Sequence, residues 1–418
     1  MRSNYKKLGQ FIRVVDVRNK EGREDNLLGV STRKVFIDSV ANTVGTDFKK
    51  YKIVKKNQFT YVPDTSRRGD KIGIAMLESL DQALVSQAYT VFEVSDKEQL
   101  DPEYLMMWFR RTEFDRYARF KSHGSVREIF DWEEMCDTEL PVPSIEKQRE
   151  IVREYNVVND RIALNEQLTQ KLEDTAQAVY KQWFVDFEFP MTKVYAKSIG
   201  KPELEGKPYK SFGGKFEYSE LLEKDIPSIW SAGVIPDLGN VVGGATPSTF
   251  SENYWGGSIS WLSPKDISKN GEKFVNNTEK SITELGFSKS STVMLPKHSV
   301  LFTSRAPVGL IAINTIELCT NQGFKSVIPR SDFYLEYLYF YLKNNTDYIS
   351  GQGSGTTFTE VSGAVMKQCK ALIPGDLTLN SFSLITRKLF SIQLENERKN
   401  KVLKELVSLI RSKLAGGL

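Results

Sequence analysis

Short loops that combine arginine, lysine, serine, threonine and glycine are the stretches of this sequence best suited to binding chemistry. Arginine and lysine can reach phosphates or guanine edges, hydroxyl groups can contact either, and glycine lets a backbone approach closely. The first half of the chain offers Arg33, Lys34, Thr65, Ser66, Arg67, Arg68, Lys71, Ser122, His123, Ser125 and Arg127. The second half offers Thr246, Ser248, Lys265, Ser304, Arg305, Gln322, Ser354, Gly355, Thr356 and Thr357. These residues predict a nucleic-acid contact surface, although such a loop taken singly is more often a solvated turn.

Signatures of catalysis are missing from the sequence. It contains no GxxxxGK[ST] phosphate loop, no GxSxG nucleophile elbow, and none of the Pro-Pro pairs that adenine methyltransferases carry. Its two histidines, His123 and His298, have no acidic or cysteine neighbours at metal-ligand spacing. The sequence therefore predicts no catalytic residue, no metal site and no cofactor.

Composition is compatible with a soluble protein that binds nucleic acid. The formal net charge of +4 permits such binding without requiring it. Three cysteines, none in a CxxC pair, suit a reducing compartment. The N-terminal MRSNYKKLGQ lacks an apolar signal core, and no apolar run is long enough to span a membrane. We expect a cytoplasmic protein.

The chain contains an internal duplication. Segments of the two halves match at an offset of roughly 230 residues, well beyond the repeat lengths of solenoids. The matched pairs are Leu8 with Leu238, Gln87 with Gln322, Leu105 with Leu338, Gly124 with Gly353, Cys136 with Cys369, and Pro141 with Pro374. The Gly124 and Gly353 loops both carry hydroxyl groups, which modestly favours a contact surface over a solvated turn. Shared ancestry alone would also explain the recurrence.

Each copy ends in a long predicted helix with heptad spacing. Residues 148–187 lack proline and glycine, as do residues 384–414. The first helix has an apolar seam of Ile151, Tyr155, Val158, Ile162, Leu172, Ala176, Val179 and Trp183, interrupted at Asn165 and Thr169. The second has Ile385, Leu389, Ile392, Leu403, Leu406 and Ile410, interrupted at Asn396 and Lys399. Antiparallel packing would bring Asn165 and Asn396 to one level, where a buried polar pair fixes register. The alternative is two unrelated amphipathic helices, each packed on its own domain.

These elements predict an α+β protein with two similar mixed α/β domains. Two long antiparallel helices would join the domains as a coiled coil, with approximate two-fold symmetry. The expected segments are a first domain at 1–143, a spacer helix at 144–189, a linker plus second domain at 190–376, and a second spacer helix at 377–418. The Lys-, Gly- and Pro-rich stretch up to about residue 232 is the expected linker.

Finer elements are also predicted inside the two domains. In the first, we expect strands at 51–54, 59–62 and 89–94, and a helix at 102–120 that Asp101 caps. In the second, the runs VLFTS and VGLIAIN predict strands.

Four further motifs carry a family resemblance. They are GGATPS at 243–248, VLFTSRAPVG at 300–309, NQGFK at 321–325 and AVYKQWFVDFEFP at 178–190. Together with the alternation of two domains and two helices, they make the chain resemble the specificity subunit of a type I restriction–modification system. The first domain lacks clear counterparts of the GGATPS and SRAPVG segments, so contact positions transfer less securely to it.

The resemblance implies that the chain recognises DNA without doing chemistry. Each domain would read one half of a bipartite, asymmetric DNA sequence, and the helices would set the unread gap. Two modification subunits, which bind S-adenosylmethionine and methylate adenine, and ATP-dependent restriction subunits would be its partners, with no membrane involved. Trp183, Phe184 and Phe187 are candidate docking residues, or else they cap the helical bundle. A stand-alone DNA-binding regulator and a coiled-coil protein scaffold remain alternatives.

Overall fold

The computed structural model describes residues 4–40, 45–65, 71–124, 128–354 and 359–416. The chain divides into two compact units, and both boundaries fall inside long helices. Unit 1 comprises Met1–Ala163 with Lys401–Leu418, and unit 2 comprises Leu164–Asn400. The predicted division at residues 143, 189 and 376 stays a prediction, as does the two-fold relation between the halves.

The strands of unit 1 form two mixed or antiparallel sheets and one short ribbon. One sheet has the order β2-β9-β6-β7, a second has the order β4-β3-β8-β5 with β3 and β8 parallel, and β1 pairs with β10. The strands are β1 (Tyr5–Lys7), β2 (Ile12–Val15), β3 (Leu27–Val30), β4 (Phe36–Asp38), β5 (Lys52–Lys55), β6 (Phe59–Tyr61), β7 (Ile74–Met76), β8 (Gln82–Val85), β9 (Thr90–Val94) and β10 (Glu139–Pro141). The predicted strands at 51–54, 59–62 and 89–94 are confirmed to within one residue at each end.

The helices of unit 1 include α1 (Pro102–Phe109), α2 (Thr112–Phe120) and α3 (Trp132–Asp137). Asp101 caps α1 by accepting hydrogen bonds from two backbone amides, as predicted. The single helix expected over 102–120 is wrong, because Arg111 adopts an extended conformation between α1 and α2. The guanidinium of Arg111 lies 4.3 Å from the centre of the Trp108 ring. The bend lets Phe114 of α2 pack on Phe109 of α1.

The first long helix, α4 (Ile145–Tyr180), continues into one π-helical turn at Lys181–Val185. Its predicted seam is confirmed, since the named side chains are buried or half-buried. In unit 1, Val152, Tyr155 and Ile162 of this helix join the core of the domain. That core also contains a stacked pair of rings, Phe59 and Phe92, 4.9 Å apart.

Unit 2 contains a five-stranded sheet, a three-stranded sheet and two ribbons among its described residues. The sheet orders are β14-β21-β18-β19-β16 and β17-β15-β20, and the ribbons are β11-β12 and β13-β22. The strands are β11 (Phe216–Ser219), β12 (Lys224–Pro227), β13 (Ser231–Val234), β14 (Gly239–Gly243), β15 (Trp255–Leu262), β16 (Phe274–Val275), β17 (Lys280–Ile282), β18 (Val300–Ser304), β19 (Val308–Asn314), β20 (Cys319–Thr320), β21 (Lys325–Pro329) and β22 (Lys370–Ile373). The predicted VLFTS and VGLIAIN strands are confirmed as β18 and β19.

The stretch expected to be a linker is folded, so that expectation is wrong. It contains a helix and the β11-β12 ribbon, and Met191, Tyr209 and Trp230 are buried in the main core of unit 2. The Trp230 ring stacks on Phe189 at 4.4 Å. Aromatic residues scattered among the lysines and glycines supply this burial, which composition alone did not indicate. The helices of unit 2 that precede the last long one are α5 (Lys193–Ser198), α6 (Ile235–Leu238), α7 (Pro264–Asn270), α8 (Glu284–Ser288), α9 (Leu335–Asn344), α10 (Thr346–Gly351) and α11 (Gly363–Gln368).

The second long helix, α12 (Asp376–Gly416), packs antiparallel to α4 in each unit. In unit 2, Asn165 Nδ2 donates to Asn400 Oδ1 at 2.8 Å and Asn396 Nδ2 donates to Thr169 Oγ1 at 3.4 Å. In unit 1, Arg411 donates to the Tyr155 hydroxyl at 2.9 Å. The antiparallel packing is confirmed, and the alternative of unrelated helices is wrong. The register differs by about one turn from the prediction, because Asn165 faces Asn400 rather than Asn396.

The predicted seam of α12 is partly wrong. Ile385, Ile392 and Leu406 are 45%, 43% and 41% exposed. The buried face includes the apolar Phe390 and Val407 and also four polar side chains, those of Thr386, Gln393, Asn396 and Asn400. Because threonine, glutamine and asparagine occupy buried positions, the hydrophobic periodicity pointed to a neighbouring face.

Both units repeat one topology, which confirms the duplication. The order β2-β9-β6-β7 in unit 1 corresponds to β14-β21-β18-β19 in unit 2. The parallel pair β3-β8 corresponds to β15-β20, and the ribbon β1-β10 corresponds to β13-β22. No described helix is both long and apolar enough to cross a membrane.

Candidate nucleic-acid interface

In unit 2, loops far apart in sequence meet at one edge of the five-stranded sheet. Strands β14 and β18 end there and β19 and β21 begin there, since β21 is antiparallel to β14 and to β18. Thr246 follows β14 and Gln322 precedes β21, and the Thr246 hydroxyl donates to Gln322 Oε1 at 2.5 Å. Arg305 follows β18 at the same edge. The structure therefore brings these three predicted contact residues together.

The second glycine of the GGATPS motif, Gly244, allows this close packing. A Cβ added to Gly244 would lie 2.2 Å from the Asn321 carbonyl oxygen and 2.3 Å from that of Thr320. Trp261 Nε1 donates to the Ala245 carbonyl at 3.1 Å and holds the next residue in place. The motif thus positions Thr246 next to Gln322 by packing rather than by flexibility.

A basic depression lies at this edge. It is open, has a volume of about 570 Å³, and is lined by Lys265, Lys269 and Arg305 together with Ser263, Ser268 and Asn321. Lys265 is exposed in the first turn of α7, which Asp266 stabilises by accepting from the Ser263 amide at 2.7 Å. Lys269 follows one turn later and forms an ion pair with Glu279. The i, i+4 spacing of the two lysines is a sequence signal that indicates Lys269.

Arg305 sits between the basic depression and the 354–360 loop. Its guanidinium is half-buried and lies 3.5 Å from the Glu360 carboxylate. Lys325 Nζ donates to the Gln322 carbonyl oxygen at 3.1 Å, and burial lowers the pKa of that lysine. The sequence prediction missed Lys325, Lys269 and Asn321.

The two glycine–hydroxyl loops, one in each unit, are closed in the same way by a hydrogen-bonded pair of residues. Ser354 pairs with Glu360 in unit 2, and His123 pairs with Ile129 in unit 1. The loop of unit 2 is tied to the sheet edge because the Val361 amide donates to the Ser304 carbonyl at 3.0 Å. In unit 1 the Thr65 amide donates to the Glu128 carbonyl at 2.9 Å. The predicted contacts Ser66, Arg67, Arg68, Ser125, Arg127, Gly355, Thr356 and Thr357 lie outside the described residues.

Several predicted contact residues of unit 1 are exposed. Arg33 lies in the β3–β4 turn, and Arg33 and Lys71 line one cavity of about 680 Å³. His123 is 72% exposed and lies 3.7 Å from the Glu134 carboxylate. The cavity has mixed charge, since its lining includes Arg110 and Arg411 as well as the acidic Glu78, Glu103 and Asp160. It is therefore less uniformly basic than the depression of unit 2. Ser248 and Ser354 of unit 2 are exposed as well.

Four predicted contact residues have structural roles instead. Lys34 is 5% exposed and its Nζ donates to Asp115 Oδ1 at 2.6 Å. Burial lowers the pKa of this lysine, although Asp115 opposes the shift. Thr65 is buried and its hydroxyl donates to Ser122 Oγ at 2.8 Å, while Ser122 donates to a backbone carbonyl of α2. Ser304 is fully buried, and both its amide and its hydroxyl donate to the Gly323 carbonyl. Polar residue type alone could not separate these anchors from contact residues.

The aromatic residues predicted to dock a partner are in the core. Trp183, Phe184 and Phe187 are 6%, 2% and 7% exposed. Phe184 packs edge-on against Tyr337 and Phe382 at 4.7 and 4.9 Å. Burial leaves these rings no surface for a docked subunit, so their assignment as docking residues is wrong and they cap the bundle instead.

Apolar side chains are exposed elsewhere on the two long helices. In unit 1 they are Val157, Val402, Leu406 and Leu409. In unit 2 they are Leu164, Leu168, Leu384, Ile385 and Ile392. No group of three or more His, Cys, Asp or Glu side chains within the described ranges could hold a metal ion.

Comparisons with known proteins indicate the family and the fold of the chain. A family profile described as the type I restriction modification DNA specificity domain matches residues 5–174 and 227–403. The type I restriction enzyme MjaIX specificity subunit of Methanocaldococcus jannaschii is 34% identical over 200 residues, which are 47% of this chain and 46% of that protein. The alignment thus spans about half the length of that relative. The HindI specificity subunit of Haemophilus influenzae is 24% identical over 454 residues, and the alignment covers 98% of each chain.

A solved structure has the same fold. The S subunit of a type I restriction–modification system from M. genitalium matches with a TM-score of 0.58 and 13% identity, over 98% of this chain and 95% of that one. The profile matches most of the chain in two blocks, in keeping with the duplication. This chain therefore belongs to the type I restriction modification DNA specificity family, as a sequence-specific DNA-recognition subunit.

Proposed function

We propose that each unit reads one half of a bipartite DNA sequence and that the two long helices set the gap between the halves. The observation that carries the proposal is the repeated sheet edge, from which both units present loops with exposed basic or polar side chains. Two-domain DNA binders read half-sites separated by about one helical turn, roughly 34 Å, and long helices suit such spacing.

The proposed contact residues of unit 2 fall into two groups, one suited to phosphates and one suited to base edges. Lys265 and Lys269 are flexible cations suited to phosphate oxygens, which position a protein without reading sequence. Arg305 and Gln322 carry the donors and acceptors that recognise guanine and adenine edges. Thr246 orients the Gln322 amide, so this glutamine is the residue of the cluster best prepared for base recognition.

The proposed chemistry belongs to partner subunits. The relatives are named as specificity subunits of restriction enzymes, and the sequence carries no GxxxxGK[ST] phosphate loop, no GxSxG nucleophile elbow and no Pro-Pro pair. We infer that modification subunits supply S-adenosylmethionine-dependent methylation of adenine and that restriction subunits supply ATP-dependent cleavage. In this arrangement the chain selects the DNA site and performs no bond-making step.

The exposed apolar side chains of α12 support a docking surface for the modification subunits. Ile385 and Ile392 are seven residues apart, so they lie on one face of the helix. Ile385→Asp with Ile392→Asp should abolish co-purification with the modification subunit. Glu395→Ala, on the same exposed stretch, is the control and should leave co-purification intact. Retention of the subunit by the double variant would contradict this docking surface.

The salt dependence of DNA binding tests the interface of unit 2. Each lost phosphate contact should reduce the slope of log affinity against log salt by about 0.9. Lys265→Ala and Lys269→Ala should therefore weaken binding and flatten that slope. Arg330→Ala is a matched control, because Arg330 is exposed beyond the opposite end of β21. Unchanged slopes in both test variants would remove this edge from the interface.

Domain exchange tests the two-reader proposal directly. Replacement of residues 190–376 by the matching segment of a relative should change one half of the methylated sequence and leave the other half as it was. Mapping of methylated adenines, with the modification subunit present, gives the readout. A change in both halves would contradict independent reading by the two units.

A further inference from the structure

One lysine of unit 2 connects the DNA-recognition domain to both long helices. Lys273 immediately precedes β16 and is about one-tenth exposed. Its Nζ donates to Glu173 Oε2 on α4 at 2.7 Å and to Gln393 Oε1 on α12 at 2.9 Å. A single side chain thus bonds to two helices that belong to different parts of the sequence.

The surroundings of Lys273 complete this connection. Its ammonium group lies 3.1 Å from the centre of the Phe390 ring on α12 and 4.3 Å from that of Tyr339 on α9. The Glu397 carboxylate on α12 accepts from the backbone amides of Lys273 and Phe274 at 3.1 and 3.2 Å. Backbone and side chain of one residue are therefore both held by α12.

Glu173, the partner of Lys273, also forms hydrogen bonds with residues of the recognition domain. Its carboxylate accepts from the Tyr339 hydroxyl at 3.0 Å and from Lys343, both on α9 of the domain. Burial raises the pKa of this carboxyl group, but Lys273 and Lys343 outweigh that effect and lower it to about 2. Glu173 therefore stays ionised and keeps the buried lysine in place.

We propose that Lys273 is the positioning residue that fixes the orientation of the second DNA-recognition domain on the helices, and thereby the gap length that the protein accepts. The proposal rests on the bipartite reading proposed above. A charged side chain bound to two helices resists rotation of the domain more than apolar contacts alone, because ionic hydrogen bonds are directional. Loss of the charge should let the domain change its angle and so tolerate other spacings.

The test measures DNA affinity as a function of gap length. Duplexes carry both half-sites with the natural gap, one base pair less or one base pair more. We expect the wild-type chain, in complex with its modification subunits, to prefer one gap, and Lys273→Met to reduce that preference by about tenfold, a change equivalent to about 1.4 kcal/mol. Affinity for a duplex that carries only the half-site of unit 2 should stay within about twofold, whereas a general folding defect would lower it.

Matched variants separate positioning from other effects. Lys273→Arg keeps the charge and should restore the gap preference. Lys370→Met removes a lysine of the same domain that pairs with Glu223 away from the long helices, and should leave the preference unchanged. Should Lys273→Met not fold, Lys273→Gln keeps a donor to Glu173 without the charge and serves the same test.

Two outcomes would overturn the inference, and they differ in what else fails. If the wild-type protein and the Lys273→Met variant show the same strict gap preference, the role of Lys273 is overturned and the bipartite reading is not. A wild-type protein that binds equally well at every gap would overturn the bipartite reading and this inference with it.

Discussion

The two units attach their recognition domains to the long helices by different polar contacts. In unit 1 the buried contact is neutral. Gln148, in the first turn of α4, is fully buried, donates to the carbonyls of Gln99 and Pro143 at 2.9 Å, and accepts from the Asp101 amide at 2.9 Å. In unit 2 the contact is ionic and lies farther along the helices, where Lys273 meets Glu173, Gln393 and Glu397.

Each unit also buries a lysine in the connection that follows the first strand of its parallel pair. Lys34 follows β3 and pairs with Asp115 on α2, inside its own domain. Lys273 follows β15 and pairs with Glu173 on a long helix. A duplicated fold can therefore use a buried lysine either to close a domain or to attach it, and the partner carboxylate decides which.

The largest expected effect concerns the ionic attachment in unit 2. Glu173→Leu leaves Lys273 without its main partner in a buried site and should lower the local free energy of unfolding by about 3 to 5 kcal/mol. Hydrogen exchange of amides in β18 and α9 measures this loss. Glu395→Ala, which breaks an exposed ion pair with Lys399, should cost less than about 1 kcal/mol. Equal effects of the two substitutions would contradict the role assigned to Glu173.

The neutral attachment in unit 1 should be weaker but still measurable. Gln148→Leu leaves the Asp101 amide and two carbonyls without their partner, and should destabilise unit 1 by about 2 to 3 kcal/mol. Hydrogen exchange of amides in α1 provides the measurement. Gln170→Leu, on the exposed side of the same helix, should have almost no effect. A loss of stability confined to unit 2 would contradict the role of Gln148 in attaching the recognition domain of unit 1.

The smallest effect is a difference in pH dependence. Burial raises the pKa of Glu397 to about 7, from an ordinary value of 4.5. A raised carboxyl pKa stabilises the folded state below pH 4.5, and that contribution is lost as the pH rises towards 7, with a slope of at most about 1.4 kcal/mol per pH unit. Glu397→Gln should flatten this slope in unit 2, as measured by hydrogen exchange between pH 5 and 7. An unchanged slope would contradict the titration of Glu397 in this pH range.

Much of the architecture could be predicted from the sequence because it depends on periodicity and repetition. The matched pairs such as Cys136 with Cys369 revealed the duplication, and uninterrupted heptads revealed both long helices. Exposure could not be predicted in the same way. Ile385 has the spacing of a seam residue and is nearly half exposed, whereas Gln393 is polar and buried.

The candidate interface shows the same limit at single residues. Thr246, Gln322 and Arg305 were predicted from residue type, and the sheet brings them together. Lys34 and Ser304 have the same residue types and are buried anchors. Lys269 and Asn321 were missed because their relevance depends on neighbours that are distant in sequence.

The sequence by itself determined the duplication, the two long helices and the family, because these follow from local spacing and from motifs that are contiguous in the chain. Only the tertiary structure decided which polar residues face solvent, which asparagine meets Asn165, and which helix receives Lys273. The physical reason is that burial and ion pairing depend on contacts between residues far apart in the sequence, 100 positions for Lys273 and Glu173 and 235 for Asn165 and Asn400. These contacts exist only after the sheets and helices have packed.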